Sequence, residues 1–162
     1  MYKQIKEKGG DLQAFLSAQK ISARDNSRTP FQWSSDANAG FSTGKPWLKI
    51  NPNYKTVNAA AEEKDSSSCL NYFRKIVKLR KDNLVLVYGK YTLLDKDNPQ
   101  VYTYTRDLNG KKILVLLNFS SKPATANINT DLTNADLLIG NYASANNTTA
   151  LRPYEAVVYE LK

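Results

Sequence analysis

The spacing of apolar residues divides the chain into a first part with helical or irregular spacing and a second part with strand-like spacing. The clearest helix is predicted over residues 65–82, where apolar residues recur every three or four positions. That stripe consists of Cys69, Leu70, Phe73, Ile76, Val77 and Leu79. Asp65 or one of the three serines after it can cap the first turn. We interpret Cys69, on the apolar side of this helix, as buried.

Residues upstream of this helix give weaker signals. Residues 2–8 and 11–19 predict two short helices separated by Gly9-Gly10, each too short to be stable alone. The stretch from Ser22 to Trp47 fits neither the helical nor the strand repeat, so we expect a long loop there. Loops of this length are functional or disordered, and the aromatic content of this one argues against disorder.

From Leu84 onward the pattern predicts short strands rich in Val, Ile, Leu, Tyr and Thr. The predicted strands are Leu84–Tyr88, Tyr91–Leu94, Val101–Thr105, Ile113–Phe119, Leu137–Ile139 and Ala156–Leu161. Asn109-Gly110 predicts a hairpin with a type I′ turn. Because no long helix separates these strands, we expect antiparallel pairing in a sandwich or Greek-key arrangement. Residues 141–149 predict an exposed loop.

Charge is uneven along the chain, whose net charge is +8. Residues 1–90 hold 16 Lys and Arg against 8 Asp and Glu, whereas residues 91–162 hold 7 of each. There is no histidine, which excludes His-dependent triads and His-ligated metals. The single cysteine, Cys69, cannot form an internal disulfide or a Cys-rich zinc site. No signal peptide or membrane-spanning run is found, so we expect a cytoplasmic protein. We also expect no cofactor and no metal.

Candidate chemistry concentrates in the Ser22–Trp47 loop. Its acids form no recognisable acid/base pair, and no phosphate-binding or nucleophile motif is present. The distinctive groups are cationic and aromatic: Arg24, Arg28, Phe31, Trp33, Phe41 and Trp47. The guanidinium group of arginine binds carboxylates or sugar hydroxyls through its N–H groups, and aromatic side chains stack on sugar rings. For Trp33, Phe41 and Trp47 we prefer the interpretation that they fill a core.

These residues also carry a family resemblance. The chain resembles the C-terminal part of glycoside hydrolase family 13. The resemblance lies in the segments RDNSRTPFQW, AGFSTGKPW and INPNYKTVN, followed by a helix ending in LRKDN. The chain is most similar to its branch of α-glucosidases, oligo-1,6-glucosidases and dextran glucosidases, which includes isomaltulose synthases. The later part of the chain resembles the terminal β-domain of those proteins in the segments VYGKY, ILVLLNFS and LRPYEAVVYEL. The motifs follow in order from near Met1 to Lys162.

The resemblance implies an α+β fragment. Residues 1–83 would be the tail of a catalytic (β/α)8 barrel, a long loop plus the last helix, Leu70–Asp82. Residues 84–162 would form an antiparallel Greek-key β-sandwich. The nucleophile, the acid/base and a stabilising aspartate of this family lie upstream of the matched region, so no catalytic residue is expected here. Arg24, the first residue of RDN, matches a substrate-binding arginine whose aspartate partner also lies upstream, and Arg28 matches a structural position.

The function implied is that of an α-glucosidase C-terminal part, inactive alone, whose full-length enzyme acts on α-linked gluco-oligosaccharides by a retaining mechanism. Two alternatives stay open from the residues. One is a stand-alone carbohydrate-binding β-module, suggested by the ten tyrosines of the chain. The other is nucleic-acid binding, suggested by the charge but unaccompanied by a motif, so we expect no nucleic-acid or membrane partner. Helix Leu70–Asp82 is expected to self-associate if its apolar stripe is uncovered.

Overall fold

A computed structural model describes residues 1–144 and 147–162. The chain divides into two compact units, Met1–Asn71 (unit 1) and Tyr72–Lys162 (unit 2). Five α-helices are present in the described residues: α1 Tyr2–Glu7, α2 Leu12–Ser22, α3 Ala59–Lys64, α4 Cys69–Asp82 and α5 Leu84–Tyr88. Short 3-10 helices span Arg24–Ser27, Ala37–Gly40 and Pro52–Lys55. The strands are β1 Lys90–Leu94, β2 Val101–Leu108, β3 Lys111–Asn118, β4 Ala124–Thr125, β5 Asp136–Gly140, β6 Ala150–Leu151 and β7 Ala156–Leu161.

Unit 1 is held together by backbone and amide hydrogen bonds around an irregular loop. The N–H groups of Trp33 and Ser34 both donate to the carbonyl of Ala39, at 2.9 and 3.1 Å. Asn38 and Ala39 have φ of 54° and 59°, the left-handed region that a non-glycine residue enters at a cost. The Asn38 amide donates to the carbonyls of Ser42 and Gly44 at 3.0 and 3.1 Å, and these bonds offset that cost locally.

Asn58 connects the loop to the next helix of unit 1. Its side chain is buried, accepts from the N–H of Ala61 at 2.9 Å as the cap of α3, and donates to the carbonyl of Tyr54 at 2.9 Å. The N–H of Ala59 donates to the carbonyl of Gln32 at 2.9 Å. These hydrogen bonds tie the loop to α3 within unit 1.

Helix α4 begins at Cys69, four residues later than predicted. Asp65 does not cap it; its carboxylate accepts from the hydroxyl and the N–H of Ser67, and these bonds lower the pKa of Asp65. The cap is Ser68, whose hydroxyl accepts from the N–H of Asn71 at 3.2 Å, which confirms that one of the three serines caps this helix. Cys69 is exposed, so its interpretation as a buried residue is wrong.

Unit 2 is an antiparallel sheet of order β1-β2-β3-β7-β5 with a second, two-stranded sheet of β4 and β6. The predicted hairpin is confirmed: Asn109 and Gly110 have φ of 53° and 80°, as a type I′ turn requires, and Leu108 pairs with Lys111. On β2, Thr103 is buried and Tyr102 exposed, so the two faces of this strand differ. Residues 141–144 and 147–148 are exposed as predicted, and Ala145 and Asn146 lie outside the described residues.

The central strand β3 is buried on both faces of the five-stranded sheet. One face carries a core that includes Leu114, Leu116 and Tyr159, each with no exposed surface. The other face carries Ile113 and Val115, packed with Val85 of α5. Burial on both faces explains why β3 reads as a continuous apolar run instead of an alternating one.

The prediction of a strand at Leu84–Tyr88 is wrong, because this segment is helix α5. Asn83 caps it by accepting from the N–H of Val85 at 3.1 Å, and the segment ends at Gly89, where a Cβ would lie 2.4 Å from the carbonyl oxygen of Val85. A short apolar run is compatible with a strand or a helix. The sequence signals that indicate a helix here are Asn83 before the run and Gly89 after it. Sequence reasoning also missed the two-residue strands β4 and β6.

Candidate functional site

Arg24 lies at the start of the 3-10 turn Arg24–Ser27, on the surface of unit 1. Its side chain is 75% exposed, and its Nε lies 3.4 Å from Oδ1 of Asp25. The Ser27 hydroxyl donates to the Arg24 carbonyl at 3.2 Å, which fixes the turn. An ion pair this exposed contributes little to stability, so the guanidinium is free to bind a ligand instead.

The turn of Arg24 borders an open concave surface of about 430 Å³, within the ~300–1,000 Å³ range of ligand pockets. We call it the Asp25 pocket, and it is lined by Asp25, Thr29, Leu48, Lys49, Ile50, Asn51 and Pro52. Leu48 and Ile50 are half-buried, and the polar side chains around them are exposed. Sequence reasoning did not select Asp25, Lys49 or Asn51 as site residues; the only signal was their position within or beside the RDN and INPNYKTVN motifs.

The aromatic residues of the loop do not fill a core within the described part of unit 1. Trp33 is 56% exposed and Trp47 is 83% exposed, and Phe41 is exposed as well. Phe31 and Trp33 contact each other with ring centroids 4.6 Å apart. The interpretation of Trp33, Phe41 and Trp47 as core residues is therefore wrong for this chain. Arg28 is exposed, and its backbone N–H donates to the Asp25 carbonyl at 3.2 Å.

Helix α4 places its apolar stripe on two surfaces of unit 2. Ile76 and Leu79 line a cavity of about 210 Å³ together with sheet residues that include Val115 and Val158. Burial raises the pKa of Tyr72 and Tyr104, which line the same cavity. Phe73 and Val77 instead remain exposed, 63% and 45%, beside Lys78 and Lys81. Part of the stripe is thus uncovered.

The part of the chain that the structure describes offers neither a metal site nor a membrane span. Across residues 1–144 and 147–162, no group of three or more His, Cys, Asp and Glu side chains is placed to hold a metal ion. In that same part of the chain, no helix has the length and apolarity needed to cross a membrane.

Two family profiles match the chain in succession. The profile described as "Alpha amylase, catalytic domain" matches residues 1–89, and the profile described as "Maltogenic Amylase, C-terminal domain" matches residues 91–158. With the antiparallel β-unit and the loop around Arg24, these matches define the class: part of a glycoside hydrolase, with the end of a barrel domain followed by a β-sandwich. The chain belongs to the alpha-amylase family.

Individual relatives agree with this assignment. An oligo-1,6-glucosidase of Bacillus cereus is 39% identical over 100% of this chain and 30% of its own length. The solved structure of Bacillus licheniformis trehalose-6-phosphate hydrolase superposes with a TM-score of 0.86 at 33% identity, over 99% of this chain and 30% of that one. Isomaltulose synthase from Klebsiella sp. LX3 superposes with a TM-score of 0.82 at 39% identity, over 99% and 30%. The chain spans about 30% of the length of the curated relatives it matches.

Proposed function

We propose that this chain is the C-terminal part of an α-glucosidase that hydrolyses α-glucosidic bonds in oligosaccharides. The observation that carries the proposal is the ordered match to a catalytic-domain profile and then to a C-terminal-domain profile, together with oligo-1,6-glucosidase relatives over the whole chain. Residues 1–83 supply the end of the catalytic domain, and residues 84–162 form the terminal β-domain. In the whole enzyme the ligands are α-linked gluco-oligosaccharides, and the location is cytoplasmic.

Catalysis in this proposal follows a retaining mechanism with carboxylates that lie upstream of the matched region. Retention needs two carboxyl groups about 5–5.5 Å apart, one a nucleophile and the other an acid that becomes a base. Arg24 contributes substrate binding only. Its guanidinium presents several N–H donors to sugar hydroxyls or to an acidic partner. The exposure of Arg24 supports this role, because a side chain that is 75% exposed is accessible to a ligand.

The loop aromatics have a separate role in this proposal. Trp33, Phe41 and Trp47 fasten the loop to the rest of the catalytic domain, which accounts for large apolar side chains left exposed in unit 1. In the same way, the uncovered side of α4 at Phe73 and Val77 is a contact surface, and in this chain alone it promotes self-association. No nucleic-acid or membrane partner is part of the proposal.

The direct test is hydrolysis of p-nitrophenyl α-glucoside by the purified chain. We expect no turnover above buffer, because the chain offers Arg24 but no nucleophile with an acid/base partner. Robust activity that survives Arg24→Ala would contradict the assignment of roles. Reading the coding sequence immediately 5′ of Met1 is the complementary test: a frame that encodes the remaining barrel supports the proposal, and a frame that encodes something unrelated contradicts it.

A carbohydrate-binding module is the second candidate, favoured by the exposed aromatic residues of unit 2. The Tyr91 and Tyr102 hydroxyls lie 2.7 Å apart, and Phe119 is 70% exposed. Calorimetric titration of the chain with maltose separates the two candidates. Binding that Tyr102→Ala abolishes and Arg24→Ala leaves intact favours the module.

A further inference from the structure

A cavity of about 210 Å³ lies within unit 2, where helices α4 and α5 face the five-stranded sheet. Val115 and Val158, paired neighbours on β3 and β7, line it from the sheet. Ile76 and Leu79 line it from α4, and Leu86 lines it from α5. An apolar cavity of about 150 Å³ can hold benzene. This cavity, which we call the α4 cavity, therefore has room for an aromatic ring with a substituent.

The helices cover this face of the sheet incompletely. The buried cluster here consists of Val85, Ile113 and Val115, whereas the cluster on the opposite face contains nine buried residues. Ile76 is 40% exposed, so the rim of the α4 cavity is open to solvent. A ligand can enter there, and it would supply van der Waals contacts that the lining side chains lack.

Two tyrosines supply hydroxyl groups to the lining. Tyr104 lies opposite Val115 on the neighbouring strand, and Tyr72 lies on α4. Burial raises the pKa of both hydroxyls, so each stays protonated at neutral pH and can both donate and accept a hydrogen bond. Within residues 1–144 and 147–162, neither hydroxyl is hydrogen-bonded to another residue. Both are therefore available to a ligand that carries a polar group.

The charge of the lining restricts the ligand further. Among the described residues, Arg80 is the only charged side chain that lines the cavity, and it is exposed at the rim. Its Nη1 donates to the Leu86 carbonyl oxygen at 2.6 Å, which orients the planar guanidinium. A guanidinium can stack on an aromatic ring. An anion would have to leave water for a lining that is otherwise neutral, and one exposed cation offsets little of that cost.

The same lining is unsuited to a sugar. A hexose carries a hydroxyl on most of its carbon atoms, and each hydroxyl that enters an apolar space without a partner costs free energy. The α4 cavity offers the hydroxyls of Tyr72 and Tyr104 and the tethered guanidinium of Arg80, which are too few to satisfy a hexose. Its ligand class therefore differs from the α-glucosides of the proposed function.

We propose that the α4 cavity binds a small, uncharged aromatic molecule with a single hydroxyl group, placed beside Arg80 and hydrogen-bonded to Tyr104. The ligand joins α4 to the sheet, so unit 2 becomes more stable as the ligand concentration rises. The inference does not depend on the proposed function, because every residue that carries it lies in unit 2.

The test is an NMR titration of the isotope-labelled full chain with phenol, toluene or benzoate at concentrations up to about 5 mM. We expect phenol and toluene to shift the amide signals of Val115 and Val158. The dissociation constant for phenol should be on the order of 1 mM, the scale for so small a ligand. Benzoate, which is similar in size but negatively charged, should shift neither signal.

Three variants locate the ligand. Ile76→Trp fills the rim of the cavity and should abolish the shifts. Val77→Trp is the matched control, because Val77 is the next residue of α4 and is 45% exposed but does not line the cavity. Tyr104→Phe keeps the ring, so it should weaken phenol binding about fivefold, the effect of one lost hydrogen bond, and leave toluene binding unchanged.

Each outcome decides the inference. Shifts that are lost in Ile76→Trp and kept in Val77→Trp support it. Equal shifts in both tryptophan variants, or no shift with either neutral probe in the unchanged chain, overturn it. Tighter binding of benzoate than of phenol overturns the assignment to uncharged ligands. If Ile76→Trp does not fold, Tyr104→Phe decides: an equal effect on phenol and toluene contradicts the proposed hydrogen bond, and a selective loss of phenol binding supports it.

Discussion

The two units of this chain reach order by different means. In unit 2, twelve hydrophobic residues are buried, among them Leu116 and Tyr159. In unit 1, the described residues bury Ala39 and Pro30, and the loop is held by hydrogen bonds such as those of Asn58 and Asn38. Hydrogen bonds contribute about 0.5–1.5 kcal/mol each, while burying a large apolar side chain contributes about 1.5–3 kcal/mol. Unit 2 is therefore stabilised mainly by its buried core, whereas unit 1 has almost no core and relies on hydrogen bonds.

The largest expected effect comes from the core of unit 2. Leu116→Ala should lower its free energy of unfolding by about 3 kcal/mol, because the side chain is fully buried and its removal leaves a cavity. Urea unfolding followed by far-ultraviolet circular dichroism measures it. Leu137→Ala is the control, since Leu137 is 42% exposed, and its effect should stay below about 1 kcal/mol. Equal losses in both variants would contradict a packed core.

Glu155 gives a pH-dependent test of the same unit. Its side chain is 6% exposed and accepts from the Nε and the Nη2 of Arg152, at 3.0 and 2.5 Å. Hydrogen bonding by Arg152 lowers the pKa of Glu155 below its ordinary value. The stabilisation is therefore complete above the ordinary glutamate range and is lost as the pH falls through the lowered pKa.

Replacing Glu155 by Gln should remove about 2 kcal/mol at pH 7 and flatten the pH dependence of unfolding below about pH 4. Glu160→Gln is the control, because the contact of Glu160 with Lys111 is longer, at 3.6 Å, and more exposed. Identical pH profiles for Glu155→Gln and the unchanged chain would contradict the role of this pair.

Asn58 tests whether side-chain hydrogen bonds stabilise unit 1. Asn58→Ala removes the cap of α3 and the bond to the Tyr54 carbonyl, so unit 1 should lose about 1–2 kcal/mol. Both tryptophans lie in unit 1, so their fluorescence reports its unfolding separately from unit 2. Thr43→Ala, at an exposed position of the same loop, should leave the transition unchanged. A single transition shared by fluorescence and circular dichroism would remove the distinction between the units.

The smallest effect on stability is expected at the uncovered side of α4. Phe73→Ala should change the free energy of unfolding by less than about 0.5 kcal/mol, because the side chain is 63% exposed. It should nevertheless reduce self-association. Light scattering at raised salt detects this best, since Lys81 repels a second copy at low salt, whereas Lys78 is paired with Asp82. A monomer at every concentration in the unchanged chain would rule out this contact.

The same contrast explains what could be predicted from the sequence. The Asn109-Gly110 turn and the five strands of the larger sheet could be predicted from local patterns, because the burial of side chains there follows those patterns. The prediction for Leu84–Tyr88 failed because composition alone favoured a strand, although Asn83 and Gly89 on either side are the cap residues of a short helix. In unit 1, motif resemblance located Arg24, but the Asp25 pocket joins residues more than twenty positions apart in irregular backbone. Periodicity carries no information about such a contact, so Lys49 and Asn51 could not be selected.

The double burial of β3 also affects how this chain behaves before it is folded. Ile113–Leu117 is an uncharged, β-prone segment that both faces of the sheet normally conceal. If exposed in a nascent or partly opened chain, such a segment can stack with copies of itself into cross-β aggregates. Lys111 and Lys112 stand immediately before it and oppose that stacking by charge repulsion, the role of gatekeeper residues. In the folded chain the same two lysines form exposed ion pairs with Glu160 and Asp107, which contribute little to stability, so their charge matters more before folding than after it.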